Sequence, residues 1–432
     1  MTQLLKKLFP TTFDQRIIHA YQRFFSIQEL EKELVLKWVF GASLFSYFTT
    51  FSFWVSSTVL TADAVEKGYA VCRPYFQGCT DWLFLHGLPN GYSQTVLYMG
   101  LFGLMLIAVY LMYRKEWVLA HMSIVLMYLW HALATFILSG QLGGNYDYYL
   151  FVLTTILLFL PHKEFFLKLC FVLFYALSTV AKIHPAWVAG TYFSALQTGL
   201  PLFPDWSIPF WTNLVIFMEM VGAWFLLSRP GLVQRLVLVF FIAFHLYSGI
   251  LVKYHYPSVV LPTLIILFGL FYRKTPIPFD RRSIAGWVLV GLLVCMQSLP
   301  LFIPGDEKLT LEGNKYGLYM FESNHQCIST ARITFTDGSE QVIYNESANA
   351  RARCEPYRYW FRLNAFCKRN AAHIQSAAWT FDHSINGGPF LRIVDTDELC
   401  ALQYRPLTHN DWIKTHSDEP EVVGYPVENI YD

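Results

Sequence analysis

The chain has 432 residues, of which 54% are hydrophobic, 18% are aromatic and only 15% are charged. Soluble domains carry about 25% charged residues, so this composition and a mean hydropathy of +0.35 argue against an ordinary soluble enzyme. The net charge of +1 is uninformative about nucleic acid, and since no basic stripe is present, no nucleic-acid partner is predicted.

The first 33 residues contain charged side chains throughout, and no cleavable apolar stretch precedes the first long one. This pattern predicts a polar cytoplasmic segment over residues 1–33 and no signal peptide. A bilayer core requires about 20 apolar residues in each crossing helix, and nine runs approach that length. They are 34–60, 96–113, 117–139, 148–160, 165–180, 208–227, 232–252, 257–272 and 284–303.

The basic residues between these runs predict their orientation, because Lys and Arg are enriched in cytoplasmic loops. Every second loop is basic, with clusters at 114–115, 163–168, 229–235 and 273–282. The other loops carry few basic residues. The N-terminus is therefore predicted to be cytoplasmic, and nine crossings place the C-terminal region outside, in a periplasm or a lumen.

Six of the eight cysteines fall on segments predicted to be outside: Cys72, Cys79, Cys327, Cys354, Cys367 and Cys400. An even number of cysteines in an oxidising compartment predicts disulfides. Cys72 and Cys79 could close a short loop, whereas the four C-terminal cysteines allow three pairings. No Cys-x-x-Cys pair supports zinc, so no metal is predicted.

Residues 304–432 have the composition of a soluble domain. Residues 331–336 and 340–344 flank Asp337-Gly338, which predicts a β-hairpin. A helix is predicted over 355–368 and a strand over 391–394. The predicted architecture is a polytopic all-α membrane bundle at 34–303, followed by a small α+β exported domain at 304–432.

Ionisable residues in membrane segments are functional candidates, because burying them is costly unless they are paired. Several are predicted near the outer ends of the spans: Asp147, Lys182, His184, His245 and His255. Glu219 and His131 lie within spans. Structural interpretations remain open, since a lysine can extend to the interface, a histidine can pack in a core, and Glu219 can pair with a histidine. A desolvated lysine amine is, alternatively, a usable general base.

Three segments together resemble a known family. The first is Lys182-Ile-His-Pro-Ala-Trp187-Val-Ala-Gly190, at the end of an apolar helix, and the second is Glu219-Met-Val-Gly-Ala-Trp-Phe-Leu-Leu-Ser-Arg229. The third is Phe244-His245, followed ten residues later by His255. The region 34–303 thereby resembles the vitamin K-dependent γ-glutamyl carboxylases and related bacterial proteins with the HTTM (horizontally transferred transmembrane) domain.

This resemblance implies a chemistry. The lysine at position 182 would deprotonate vitamin K hydroquinone, which then reacts with dioxygen to give a strong base and finally the epoxide. The base removes a γ-proton from glutamate, and carbon dioxide traps the carbanion. Lys182, His245 and Asp147 are thus the catalytic candidates, although Asp147 stands where the family has a histidine. The substrate-binding candidates are Trp187, Gly190, His184, His255 and Glu219.

The leading prediction is a membrane enzyme whose lysine base acts on a quinol or another lipid-soluble substrate at the outer face. A transporter is an alternative, in which Glu219, His131 and His245 line a path, although no inverted repeat is apparent. A non-catalytic scaffold that presents the exported domain is the other alternative. The expected partners are the bilayer, a lipid-soluble small molecule and a protein or peptide on the outer side.

Overall fold

The chain divides into two compact units, each built from separate stretches of sequence. The helical unit comprises Met1–Asp63, Trp82–Leu177 and Met218–Val294, and the second unit comprises Ala64–Asp81, Ser178–Phe217 and Cys295–Asp432. A computed structural model describes residues 12–56, 71–79, 92–137, 145–194, 200–252, 254–269, 271–305, 307–313, 316–318, 325–347, 354–386, 388–415 and 421–422.

Helices account for most of the chain before residue 311. They are α1 (Thr12–Phe24), α2 (Ile27–Lys32), α3 (Leu34–Ser56), α4 (Tyr92–Tyr113), α5 (Trp117–Ile137), α6 (Asn145–Phe159), α7 (Lys163–Ser178), α8 (Pro185–Val188), α9 (Thr191–Ser194), α10 (Ile208–Met220), α11 (Leu232–Val252), α12 (His255–Phe268), α13 (Ile284–Ser298) and α14 (Glu307–Thr310). Each of the nine apolar runs overlaps one of these helices, and residues 57–60, 138–139 and 270 of the runs lie outside the described part.

Among the residues that the structure describes, four helical segments are long and apolar enough to cross a membrane: Leu34–Ser52, Lys163–Lys182, Leu232–Leu251 and Arg281–Phe302. Four further apolar helices are shorter: Tyr98–Tyr113, Trp117–Leu133, Tyr146–Phe159 and His255–Phe268. These helices have no polar face of the kind that a helix at the surface of a soluble protein presents to water. The multi-span prediction is therefore supported by length and composition.

The sixth apolar run, 208–227, is not one continuous helix. The α-helix α10 ends at Met220, and a 3-10 helix follows at Gly222–Leu227. A Cβ at Gly222 would lie 2.9 Å from Cε of Met218, the movable end of that side chain. Glu219 consequently lies at the end of a helix, and not in the middle of an uninterrupted span as the sequence suggested.

Two glutamates, Glu29 and Glu164, make hydrogen bonds at the N-terminal end of α7. The Glu29 carboxylate accepts hydrogen bonds from the backbone amides of His162, at 3.1 Å, and Lys163, at 3.0 Å. An anion at this position satisfies amides that have no partner within the helix. One turn further on, Glu164 accepts hydrogen bonds from Lys168 at 2.6 Å and from Arg273 at 2.9 Å. These contacts attach the basic loop after α6 to the N-terminal segment and to the loop after α12.

The C-terminal part of the second unit is an antiparallel sheet covered by a helix. The strands are β1 (His325–Phe335), β2 (Glu340–Ser347), β3 (Ile374–Ile385), β4 (Leu391–Thr396) and a two-residue edge strand, β5 (Glu421–Val422), in the order β2-β1-β3-β4-β5. The helix α15 (Pro356–Arg369) contributes Tyr357, Trp360 and Leu363 to a core that also contains Trp379 and Phe381. The predicted hairpin, helix and β4 strand are confirmed.

Three disulfides are present in this unit. They join Cys72 to Cys79, Cys327 to Cys354, and Cys367 to Cys400. The pairing that the sequence left open is thus a consecutive one, and Cys170 and Cys295 are free thiols. The short loop closed by the first disulfide belongs to the same core, because Val71 is buried with the sheet residues. In addition, the Gln77 side-chain amide donates to the Tyr404 carbonyl at 3.0 Å.

Candidate functional site

Lys182 lies at the end of a helix and is buried. The α-helix α7 tightens into a 3-10 turn at Thr179–Lys182, and Pro185 then begins the short helix α8. Proline favours the first position of a helix, because that position needs no amide hydrogen bond. Only 2% of the Lys182 surface is exposed, and its Nζ lies 5.4 Å from the centre of the Trp187 ring. The lysine and tryptophan of the sequence motif are therefore in a cation–π arrangement.

The glycine of the same motif has a conformational role. Gly190 has φ of +74°, and a Cβ there would lie 2.6 Å from Cγ2 of Ile208. Both the backbone angle and the close approach of α10 require a residue without a side chain. The Trp187 ring is buried and packs edge to face on Phe193 at 5.4 Å. Gly190 thus lets the chain turn immediately after the tryptophan that contacts Lys182.

The two histidines predicted to bind substrate, His184 and His255, have different surroundings. The His184 amide donates to the Lys182 carbonyl at 2.8 Å, and its own carbonyl accepts from the Trp187 amide at 2.9 Å. His184 thereby forms part of the turn between Lys182 and Trp187, with a partly buried side chain. His255 is the first residue of α12 and is exposed. Substrate binding by His184 or His255 stays a prediction.

His245 is buried within the helical unit and has a tyrosine partner. Its Nε2 lies 2.5 Å from the Tyr175 hydroxyl, which extends from α7. The Tyr175 ring stacks on Phe241, one turn before His245 in α11, with ring centres 4.2 Å apart. Both side chains are at least 95% buried. Tyr175 was not a candidate from the sequence, because an aromatic residue in an apolar helix gives no signal of its hydroxyl's partner.

Glu219 belongs to the same neighbourhood. Its side chain is buried, and it lies within electrostatic range of the Tyr175 and Tyr256 hydroxyls. The Tyr256 ring is in turn 5.7 Å from the His245 ring. Two tyrosines, a histidine and a glutamate from α7, α10, α11 and α12 therefore form a polar centre inside an apolar unit. We call these four residues, Tyr175, Glu219, His245 and Tyr256, the tyrosine–histidine centre.

Asp147 forms a second buried polar contact. Its carboxylate lies 3.5 Å from Nε2 of His131. The His131 ring stacks on Phe151 at 4.4 Å and meets the edge of Tyr47 at 5.2 Å. The sequence suggested a structural role for His131 or, in the transporter alternative, a position along the transport path, and it did not predict this contact. Asp147 thus has a histidine neighbour on the preceding helix, α5.

The predicted site residues fall into both units. Lys182, His184, Trp187 and Gly190 belong to the second unit, whereas Asp147, Glu219, His245 and His255 belong to the helical unit. Within the described residues, no group of three or more His, Cys, Asp or Glu side chains could hold a metal ion. Comparisons with protein-family models, with curated proteins and with solved structures find no match for this chain. Any inference about function accordingly rests on the chemistry of these side chains and on the sequence motifs that contain them.

Proposed function

We propose that this chain is a multi-span integral membrane protein. The support comes from four helical segments of membrane-spanning length and from the side chains that they expose. On α13, Ile284, Val288 and Leu292 recur at every fourth residue, and each is more than half exposed. An apolar face of this kind is stable in lipid and costly in water. Contact with lipid would then explain the apolar side chains on the outside of the helical unit, as packing explains those inside it.

The proposed orientation has a cytoplasmic N-terminus and an exported disulfide-bonded domain. Disulfides persist in the periplasm, in the secretory pathway and outside cells. The three disulfides all lie in the second unit, which contains the loops and the domain that the basic-residue pattern assigns to the outer side. The basic loops attached to Glu29 and Glu164 would be cytoplasmic.

We further propose that the protein is an enzyme that uses Lys182 as a general base on a lipid-soluble hydroxyl compound, with a quinol as the leading candidate. The observation that carries this proposal is the burial of Lys182 beside Trp187, in the motif that resembles the carboxylases. A neutral lysine amine would take the proton of a quinol hydroxyl. The resulting ammonium would be stabilised by the Trp187 ring, which attracts a cation more strongly than a neutral amine.

Carboxylation of glutamate is not part of this proposal. An aspartate in contact with His131 offers a developing carbanion neither a positive charge nor a hydrogen-bond donor of its own. The proposed reaction therefore ends when the quinolate reacts with dioxygen, so that one quinol and one dioxygen give the quinone epoxide and one water. Dioxygen and the quinol are both supplied from outside the protein.

Quinol-dependent oxygen uptake by the purified full-length protein in lipid nanodiscs tests this proposal. We expect uptake by the wild type, its loss in Lys182→Ala, and its retention in the control Lys274→Ala, which removes an exposed lysine. A thermal unfolding curve for each variant would distinguish loss of chemistry from loss of folding. Equal uptake by wild type and Lys182→Ala would refute the lysine base. No uptake with any quinol would favour the non-catalytic scaffold that presents the exported domain.

A further inference from the structure

The turn before α10 holds a leucine in a backbone conformation that leucine rarely adopts. The Phe203 amide donates to the Leu200 carbonyl at 3.1 Å, which closes a four-residue β-turn. Pro201 occupies the second position of this turn, and Leu202 occupies the third with φ of +73°. A positive φ at the third position is typical of a type II turn, where glycine or asparagine is the usual residue. The turn therefore carries a bulky apolar side chain at a position that favours a residue without one.

Large apolar side chains are exposed at this turn and along the helix that follows it. Leu202 is 86% exposed, Trp206 is 84% exposed and Phe210 is 62% exposed. Trp206 lies in the 3-10 helix Asp205–Ser207, which leads directly into α10, and Phe210 follows it by four positions. Phe217, seven positions beyond Phe210, is also more than half exposed. These four side chains all belong to the second unit and give this segment an apolar surface.

The polar side chains of the same segment have partners within the protein. The Trp211 indole donates to the Ser207 hydroxyl at 3.2 Å. The side-chain amide of Asn213 donates to the carbonyls of Pro209, at 2.7 Å, and Val188, at 2.8 Å, although Asn213 is exposed. Polar groups beside hydrocarbon need such internal bonds, because lipid tails offer none. The start of α10 thus meets a requirement of contact with lipid that a surface in water does not impose.

We propose that Leu202, Trp206 and Phe210 insert into the boundary between the headgroups and the hydrocarbon of the bilayer. This inference rests on the proposed membrane location of the chain. Tryptophan is enriched at that boundary, and contact of Leu202 with lipid would offset the cost of its positive φ. Asp205 is the one charged residue among 200–217, and it is exposed. Since a carboxylate is costly in hydrocarbon, the insertion is shallow.

A fluorescent label on a single introduced cysteine measures this depth. The parent protein is Cys295→Ser, which removes the exposed free thiol and leaves the buried Cys170 and the three disulfides unchanged. Leu202→Cys and Trp206→Cys are each made in the full-length parent, labelled with bimane and placed in phosphatidylcholine nanodiscs. Lipids with a nitroxide near the headgroup or at the end of the acyl chain quench the label according to its depth, and iodide quenches it from water.

Two control positions have comparable exposure in the structure. Leu292 lies near the middle of the segment Arg281–Phe302, so the label in Leu292→Cys should be quenched most by the nitroxide at the chain end. Val342 is exposed on β2, and the label in Val342→Cys should be quenched by iodide alone. We expect the labels at 202 and 206 to be quenched most by the nitroxide near the headgroup. We also expect them to lose most of the iodide quenching that the Val342→Cys label shows.

Iodide quenching of the label at 202 or 206 as strong as that at 342 would overturn the inference. Shielding of either label from both iodide and lipid would also overturn it, because a second copy or another protein would then cover this surface. If the label at 292 lies in lipid while those at 202 and 206 lie in water, only this inference fails. If the label at 292 lies in water as well, the proposed membrane location fails with it.

Discussion

The Asp147 carboxylate on α6 lies 3.5 Å from Nε2 of His131 on α5. Both side chains are almost fully buried, and the stacked Phe151 covers one face of the imidazole. An acid and a base that are removed from water together partly compensate each other's loss of hydration, whereas either one alone does not. The contact therefore joins two helices of the helical unit by a polar interaction inside an apolar environment.

Asp147 and His131 should stabilise the protein as a pair, so the losses of unfolding free energy caused by removing each residue should not be additive. We expect Asp147→Ala to lower the free energy of unfolding by about 3–5 kcal/mol, because His131 is left buried without the carboxylate. The double variant Asp147→Ala/His131→Ala should lose clearly less than the sum of the two single variants. Denaturation of the purified protein in mixed micelles measures all four free energies, and simple additivity would show that the two residues are not coupled.

Gly190 should not tolerate a side chain. In Gly190→Ala, the positive φ costs about 1–2 kcal/mol, and the new Cβ would also clash with Ile208. The double variant Ile208→Ala/Gly190→Ala should regain the stability lost through the clash, but not the stability lost through the positive φ. Thermal unfolding of the full-length variants provides the comparison. Equal stability of wild type and Gly190→Ala would contradict the backbone conformation described for this turn.

The disulfides should contribute unequally to stability. Cys367 and Cys400 are 33 residues apart, whereas Cys72 and Cys79 are 7 residues apart. If a disulfide acts by restricting the unfolded chain, the loss of the longer loop costs about 4 kcal/mol and that of the shorter loop about 2 kcal/mol. Serine replacements of each pair, compared by thermal unfolding of the full-length protein, test this order. A larger loss from the Cys72/Cys79 pair would indicate that its contacts with the domain outweigh chain entropy.

The C-terminal disulfide-bonded domain should become less stable in mild acid. His325 Nδ1 lies 2.9 Å from Nε2 of His383, and His383 Nδ1 donates to the Leu309 carbonyl at 2.6 Å. Burial, and to a lesser extent the nearby His383, hold the pKa of His325 well below its usual range. The unfolded chain takes up a proton near its ordinary pKa of about 6.5, and the folded domain does not. Stability is therefore complete above that pH and falls as the pH drops below it, by up to about 1.4 kcal/mol per pH unit for one histidine.

Amide hydrogen exchange of β1 and β3 in the full-length protein, at pH 7.5 and pH 5, measures this loss of stability. We expect faster exchange by global opening at pH 5, after correction for the intrinsic pH dependence of exchange. His325→Gln removes the titrating group, so its opening should depend less on pH. The same pH dependence in His325→Gln as in the wild type would assign the effect to another residue.

Local patterns in the sequence predicted the helices well, and they predicted part of the sheet. The apolar runs could be predicted as membrane-spanning helices from their own length and composition, which do not depend on the residues that pack against them. The central strand β3 was missed, because Asp382 and His383 interrupt its apolar pattern although both are buried. Their partners come from elsewhere in the chain, with Arg392 bound to Asp382 at 2.9 Å and His325 beside His383. Such compensation depends on tertiary pairing and leaves no local signal.

The candidate site was only partly predictable for the same reason. The sequence identified Lys182, Trp187 and Gly190 through one short motif. Within that segment, Lys182 lies over the Trp187 ring and the Gly190 amide donates to the Trp187 carbonyl. In contrast, the contacts of His245 with Tyr175 and of Asp147 with His131 join different helices. Their detection requires the packing of the helices, which hydrophobic composition alone does not specify.

The discontinuous make-up of the second unit has a consequence for how the protein is made. The loop at 71–79 buries Val71 in the sheet core, and Gln77 bonds to Tyr404, which lies 327 positions later in the chain. At a synthesis rate of 5–20 residues per second, roughly 15 s to 1 min separates the appearance of these partners. During that interval the loop can close its own disulfide but has no domain to dock on. A chain whose synthesis stops before the sheet is complete would therefore leave Val71 without the core that buries it.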